Sequence, residues 1–175
     1  MPIDMQFTGN EMTFDDNTLL VSKTDPKGVI MYANREFFHI AKFSEEELVG
    51  RPHAVVRHPL MPKLVFQLLW ESIKKQKEFF GFIVNQCKDG DYYWVFAHVT
   101  SDIDPKTGQT VGYHSSRKSP SRSGVALISQ MYAELKQIED RYTTKKEGIE
   151  AARAYMDQFL EERQQTYEEF VFSIS

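Results

Sequence analysis

The chain has 175 residues, a length that suits one domain with appendages better than two full domains. It is 41% hydrophobic and 26% charged with a formal net charge of -4, and no Lys/Arg block stands out, which argues against a nucleic-acid partner. Met1-Pro2-Ile3-Asp4, followed by Glu11, Asp15 and Asp16, lacks the basic and apolar regions of a signal peptide. The apolar run 64–70 contains Gln67 and is too short to cross a bilayer, so direct membrane insertion is not expected. The single Cys87 cannot form an intramolecular disulfide. A cytoplasmic location follows, peripheral to the inner membrane only through a receptor partner.

Residues 1–18 are a polar lead-in with scattered Met5, Phe7, Met12 and Phe14. Residues 19–24 alternate as a first strand. Asp25-Pro26-Lys27-Gly28 is a turn, since Pro fixes one dihedral and Gly accepts a positive one, and 29–33 is the partner strand of a hairpin. Asn34 sits where a helix cap belongs, before Phe37, Phe38 and Ile40. Ser44 to Glu47 is a capping box for a short helix that Gly50 ends. Three prolines, Pro52, Pro59 and Pro62, keep any helix in 51–62 short. Residues 63–75 are an amphipathic helix with Leu64, Leu68, Leu69, Trp70 and Ile73 near helical spacing. Strands follow at 80–85, 92–100 and 111–117, joined by turns at Asp89-Gly90 and at 104–108. The order of elements predicts an α+β domain at 19–120: a five-stranded antiparallel sheet with helices on one face and a pocket between the layers.

Residues 121–175 read as a C-terminal helical extension. Leu127, Met131, Leu135 and Ile138 trace one stripe. Thr144 to Glu147 is a second capping box, and a further helix carries Ile149, Ala152, Met156, Phe159 and Phe170. Arg163 and Thr166 fall where a heptad wants apolar side chains, so one long coiled coil is not expected. The stripe has three available partners: the sheet, its own neighbouring helix, or another protein.

Three stretches carry a resemblance. They are 25–38, ending Ala33-Asn34-Arg35-Glu36-Phe37-Phe38; Gly50-Arg51-Pro52-His53 through Val56-Arg57-His58-Pro59 and Met61-Pro62-Lys63 to Trp70; and Lys88-Asp89-Gly90-Asp91-Tyr92-Tyr93-Trp94-Val95. The first and third resemble PAS domains in general. The second resembles the FAD-binding PAS domain of bacterial aerotaxis receptors, and the chain as a whole is similar to the stand-alone PAS subunit of bipartite energy-taxis systems. The resemblance implies the PAS fold, a bound FAD, redox or oxygen sensing, and a methyl-accepting chemotaxis transducer or similar signalling protein as partner. A homodimer is among the assemblies it suggests.

An FAD pyrophosphate needs cations or backbone N–H groups, and Arg57, His58 and Lys63 lie in one Pro-bounded stretch. The resemblance assigns Arg57 and His58 to it; outside the motif they read as a surface ion-pairing Arg and a loop His. By the resemblance Trp70 contacts the ligand, whereas spacing alone suits a core residue. A flavin edge presents acceptors and a donor, which suits the amide side chains of Asn34 and Asn85, although Asn34 is equally an N-cap. His53 is read both as a cavity wall and as a satisfied loop histidine. Leu60 stands where the family motif commonly has Asp, removing a carboxylate from the neighbourhood.

Other chemistries fit less well. The reactive-cysteine motif of blue-light flavin sensors is absent around Cys87. One Cys and five scattered His form no zinc cluster, and no metal site is expected. No dinucleotide fingerprint, phosphate loop or nucleophile–base pair is present, so the protein is not expected to be an enzyme. A haem-binding PAS gas sensor, with an axial ligand from His39, His53, His58, His98 or His114, and a cofactor-free PAS interaction module are the alternatives.

Overall fold

The computed structural model of the protein describes residues 9–175. Residues 1–8 of the lead-in lie outside that range. Strand β1 spans Leu20–Thr24 and β2 Ile30–Ala33. The Asp25 carboxylate nucleates the turn between them, accepting the amides of Lys27 (2.8 Å) and Val29 (2.9 Å), while Gly28 takes φ +83°. Helix α1 (Arg35–Ala41) starts at Asn34, whose Oδ1 accepts the amide of Phe37. Helix α2 (Glu45–Leu48) is a single turn in which Glu47 Oε2 accepts the amide of Ser44, and Gly50 leaves it at φ +85°. The proline-rich stretch holds only a 3₁₀ turn, His53–Val56, before α3 (Lys63–Lys74).

Strands β3 (Phe79–Gln86), β4 (Tyr92–Ile103) and β5 (Thr110–Lys118) complete a five-stranded sheet in the order β2-β1-β5-β4-β3, antiparallel throughout. The strand formed last in sequence is therefore the central one. Register sets which side chains share a face. One cross-strand row runs Leu20, Arg117, Ala97, Gly81 and the next runs Ser22, Ser115, Val99, Phe79. These rows belong to the face that α1, the 3₁₀ turn and α3 cover.

The C-terminal extension folds back on the sheet. Helix α4 (Arg122–Asp140) lies against the opposite face and the β3 edge: Tyr132 packs on Trp94 at 6.0 Å between centroids, and its hydroxyl donates to the carbonyl of Phe82 (2.6 Å). The stripe that α4 buries is Val125, Ile128, Met131, Tyr132 and Leu135. Leu127, assigned to the stripe by spacing, is 54% exposed. The buried face is wide, and an apolar residue at its margin mimics the periodicity without belonging to it.

Helix α5 (Lys145–Glu162) begins as expected at Thr144, but the capping box is only half formed: Thr144 Oγ1 accepts the amide of Glu147, whereas the Glu147 carboxylate takes the Thr144 hydroxyl rather than its amide. The helix does not continue to Phe170. Gln164 takes φ +53°, and Thr166 caps a separate α6 (Tyr167–Ile174), with Glu169 Oε2 accepting its amide at 2.7 Å. Thr166, polar where a heptad wants an apolar residue, is a helix start. Phe172 of α6 packs on Phe80 (4.7 Å) and Phe96 (5.8 Å) of the sheet.

Of the described lead-in, Met12 donates its amide to the carbonyl of Tyr92 (2.6 Å), and Glu11 takes two bonds from the Arg122 guanidinium at 2.6 and 2.9 Å. The lead-in is thus fastened to the start of β4 and of α4.

Candidate cofactor site

Between the inner face of the sheet and the helical layer lies a cavity of about 170 Å³. The sheet contributes Ser22, Ile83, Asn85, Val99, Tyr113 and Arg117. The 3₁₀ turn and the residue after it contribute His53, Ala54 and Arg57, and α3 contributes Phe66, Leu69, Trp70 and Ile73. Four of the six residues anticipated from the sequence therefore meet on one cavity: His53, Arg57, Trp70 and Asn85.

Each is held there by a local cause. Trp70 projects from the amphipathic face of α3 and stands edge-on to Tyr113 at 5.5 Å. Its ring closes over Gly28, where a Cβ would meet the indole at 3.4 Å. Asn85 is buried near the end of β3, and the backbone of Arg57 bridges to it across the sheet edge. The Arg57 guanidinium lies 3.8 Å from the Phe66 ring centroid at the exposed rim. Partial desolvation against the cavity wall pulls it below the usual guanidinium range.

His58 and Asn34 do not reach this cavity. The backbone at Arg57 is extended (φ -71°, ψ 124°), so consecutive side chains leave in opposite directions. His58 turns into a second cavity, with Leu60, Val84, Trp94 and Tyr132 between the outer face and α4, where its Nδ1 accepts the amide of Leu60 at 3.1 Å and its ring meets Tyr92 edge-on. Asn34 is engaged locally: Oδ1 accepts from Val21 (3.0 Å) and Phe37 (3.2 Å), and Nδ2 donates to the carbonyl of Leu19 (2.8 Å).

Arg117 was not anticipated. It is 3% exposed, and its Nη2 donates to Ser22 Oγ (2.6 Å) and lies 2.7 Å from His53 Nε2. A guanidinium can only donate, so His53 Nε2 must accept and the ring proton sits on Nδ1. Burial, followed by the Arg117 charge, lowers His53 to about 3, so the imidazole is neutral. Burial brings Arg117 down to about 10, still charged at neutral pH. Burial likewise raises the Tyr93 phenol, while the Arg117 charge opposes that rise. The signal in sequence was parity: Tyr113, Ser115 and Arg117 alternate onto one face of β5.

The lining suits a planar ring with acceptor atoms at its edge. Leu69, Trp70, Ile73, Ile83 and Val99 supply apolar walls. Asn85 Nδ2 and Arg117 Nη1 are buried donors with no hydrogen bond of normal geometry in the protein, although the Tyr93 phenol interacts with both residues. A buried donor left unpaired costs about 1–3 kcal/mol, and a ligand acceptor would recover it. The volume is below the roughly 300–1,000 Å³ of pockets that enclose drug-sized ligands. The cavity is thus too small to enclose a dinucleotide whole, and Arg57 is an exposed member of its lining. Among the described residues no group of three or more His, Cys, Asp or Glu is placed to hold a metal. His53 alone of the five histidines lines this cavity, with its Nε2 turned to Arg117.

Residues 30–116 match the PAS fold family. The chain is 36% identical over 120 residues to the aerotaxis receptor of Escherichia coli strain K12, a match covering 69% of this chain and 23% of the receptor. It is 25% identical over 89 residues to the nitrogen fixation regulatory protein of Klebsiella pneumoniae, covering 51% of this chain and 18% of the regulator. The chain thus spans about a quarter or less of the length of these relatives. Among solved structures, the dark state of the blue-light photoreceptor Aureochrome1 LOV superposes with a TM-score of 0.55 at 22% identity, covering 69% of this chain and 86% of that one, a likeness of fold. By the match over residues 30–116, and by the sheet and helical layer that those residues build, the chain belongs to the PAS fold family.

Proposed function

We propose that the protein is a cytoplasmic PAS sensor that binds FAD, responds to redox or oxygen state through it, and signals to a chemotaxis transducer in aerotaxis or energy taxis. The observation that carries this reading is the convergence of His53, Arg57, Trp70 and Asn85 on one cavity whose buried donors Asn85 Nδ2 and Arg117 Nη1 lack a hydrogen bond of normal geometry within the protein. Similarity to an aerotaxis receptor supports the same assignment.

A bound flavin would supply reversible electron uptake. The protein would hold it by its edges: Asn85 faces the ring, Trp70 borders it, and Arg57 at the rim meets the pyrophosphate. His58 would contribute by fixing the loop that carries Arg57, since its own side chain points elsewhere.

A route outward starts at α3, which lines the cavity with Phe66, Leu69, Trp70 and Ile73. Its first two amides, Lys63 and Leu64, donate to the Glu139 carboxylate of α4 at 3.0 and 2.9 Å. Its Glu71 pairs with Arg153 of α5 at 2.7 Å. A ligand state that moves α3 must disturb both contacts, and the population of the extension's conformations shifts by the difference in affinity for each. Domain 19–120 is thus the sensor, and 121–175 the output.

The test is to purify the protein, release any chromophore by heat and identify it. FAD that is held in stoichiometric amount, and that cycles between dithionite and air, supports the reading. A protein that arrives colourless and takes up no added FAD overturns it.

A further inference from the structure

We propose that Arg117 is a charge seat inside the cavity, which makes the site hold a ligand bearing a negative charge on its ring edge in preference to the same ligand when neutral. This rests on the flavin reading and makes it specific: the site should bind the reduced, anionic flavin more tightly than the oxidised, neutral one.

Arg117 carries an uncompensated charge. Arg117 is buried on the central strand, and both bonds from Nη2 go to neutral acceptors, Ser22 Oγ and His53 Nε2. Its Nη1 is buried without a hydrogen bond of normal geometry. Its guanidinium carbon lies 4.9 Å from the Phe37 ring centroid, a contact that softens the cost of burial without neutralising the charge. Among the described residues no carboxylate lies within 4.0 Å of it. Buried cations are ordinarily paired, because desolvation of a lone charge is expensive.

The rest of the cavity has the same sign. The described lining residues include the cations Lys27, Arg57 and Arg117 and no Asp or Glu. The second buried polar atom without such a bond, Asn85 Nδ2, is also a donor. His53 cannot act as a counter-charge. It is neutral, and its one free lone pair already faces Arg117. A cavity whose spare capacity consists of donors and positive charge is complementary to an acceptor edge, and more so once that edge gains an electron pair. Reduction of the flavin ring takes two electrons and, for the anionic product, one proton from solvent. The negative charge left on the ring would sit against Arg117.

The experiment is reconstitution with FAD and spectroelectrochemical titration with dithionite as reductant, comparing wild type with Arg117→Gln and Arg117→Lys. The seat predicts that Arg117→Gln loses at least tenfold in preference for the reduced form, which for a two-electron couple is about 30 mV of lowered midpoint potential. Arg117→Lys should keep most of that preference. A second measurement needs no variant. In mildly acidic buffer the wild-type midpoint should move by about 30 mV per pH unit, one proton per two electrons, rather than about 59 mV. Equal potentials in wild type and Arg117→Gln, or a two-proton slope if that variant fails to fold, overturn the seat while leaving flavin binding standing. Failure of wild type to bind FAD at all overturns the flavin reading and the seat together.

Discussion

The carboxylate of Glu139 on α4 caps the first turn of α3, accepting the amide of Leu64 at 2.9 Å across 75 residues of sequence. Pro62 precedes α3 and has no side chain that could cap it, so two amides that would otherwise be orphaned are satisfied by the C-terminal extension. Glu139→Ala should cost about 2 kcal/mol, from loss of the cap and two amides left without a partner, that of Leu64 buried and that of Lys63 half-buried. Glu139→Gln, which keeps one acceptor, should cost less. Urea denaturation of both variants measures this; equal stability of Glu139→Ala and wild type would show that the contact contributes nothing.

The half-buried His53 gives the fold a pH dependence with a definite sign. Its pKa in the folded protein is about 3, against an ordinary value of 6.5, so between these limits the unfolded chain binds the extra proton. Stability at neutral pH is therefore lost progressively as pH falls from about 6.5 towards 3. His53→Gln should flatten the stability profile over that window, as read by thermal melts at stepped pH. A variant profile as steep as wild type would assign the acid sensitivity to other groups.

At Gly124 the backbone of α4 passes close to the end of α6 and to the sheet. A Cβ there would lie 2.1 Å from the carbonyl oxygen of Ile174 and 2.8 Å from the Phe82 ring. Backbone cannot yield as a side-chain tip can, so Gly124→Ala should displace α6 at about 1–3 kcal/mol. Hydrogen exchange would find faster exchange in residues 167–174, with β4 and β5 protected as in wild type. Unchanged protection of α6 would mean that the helix is held elsewhere.

Arg57→Ala separates a phosphate role from a ring role. The guanidinium stands at the rim rather than inside the cavity, so its loss should weaken FAD by about tenfold or more, in line with about 1.5–3 kcal/mol for a charged hydrogen bond. Riboflavin, which has no phosphate, should bind wild type and variant alike. Isothermal titration with the two ligands decides it, and an equal loss for both would remove the phosphate assignment.

Much of the fold was legible because its signals are local. Asp25 and Gly28 declare the first hairpin turn, Asn34 and Ser44 declare helix starts, and alternation from Tyr92 declares β4. What was not legible depends on partners distant in sequence. Leu127 sits at the margin of a face defined only once α4 lies on the sheet, and Thr166 reads as a blemish in a long helix until Gln164 turns the chain. The site divides in the same way. The motif around Arg57 located the correct loop, but adjacency suggested that Arg57 and His58 act together, whereas an extended backbone sends them to opposite sides. Arg117 lies next to the exposed Lys118 that ends β5, and in sequence it resembles a solvated terminus. Only the packing of Phe37 and His53 over it makes it a buried charge.

The most direct test of the account is the absorption spectrum of the protein as purified, with the released chromophore identified. Paired flavin bands that bleach with dithionite and return in air, with FAD in the supernatant, are the expected result. A sharp haem band, or a colourless protein that refuses added FAD, would contradict it.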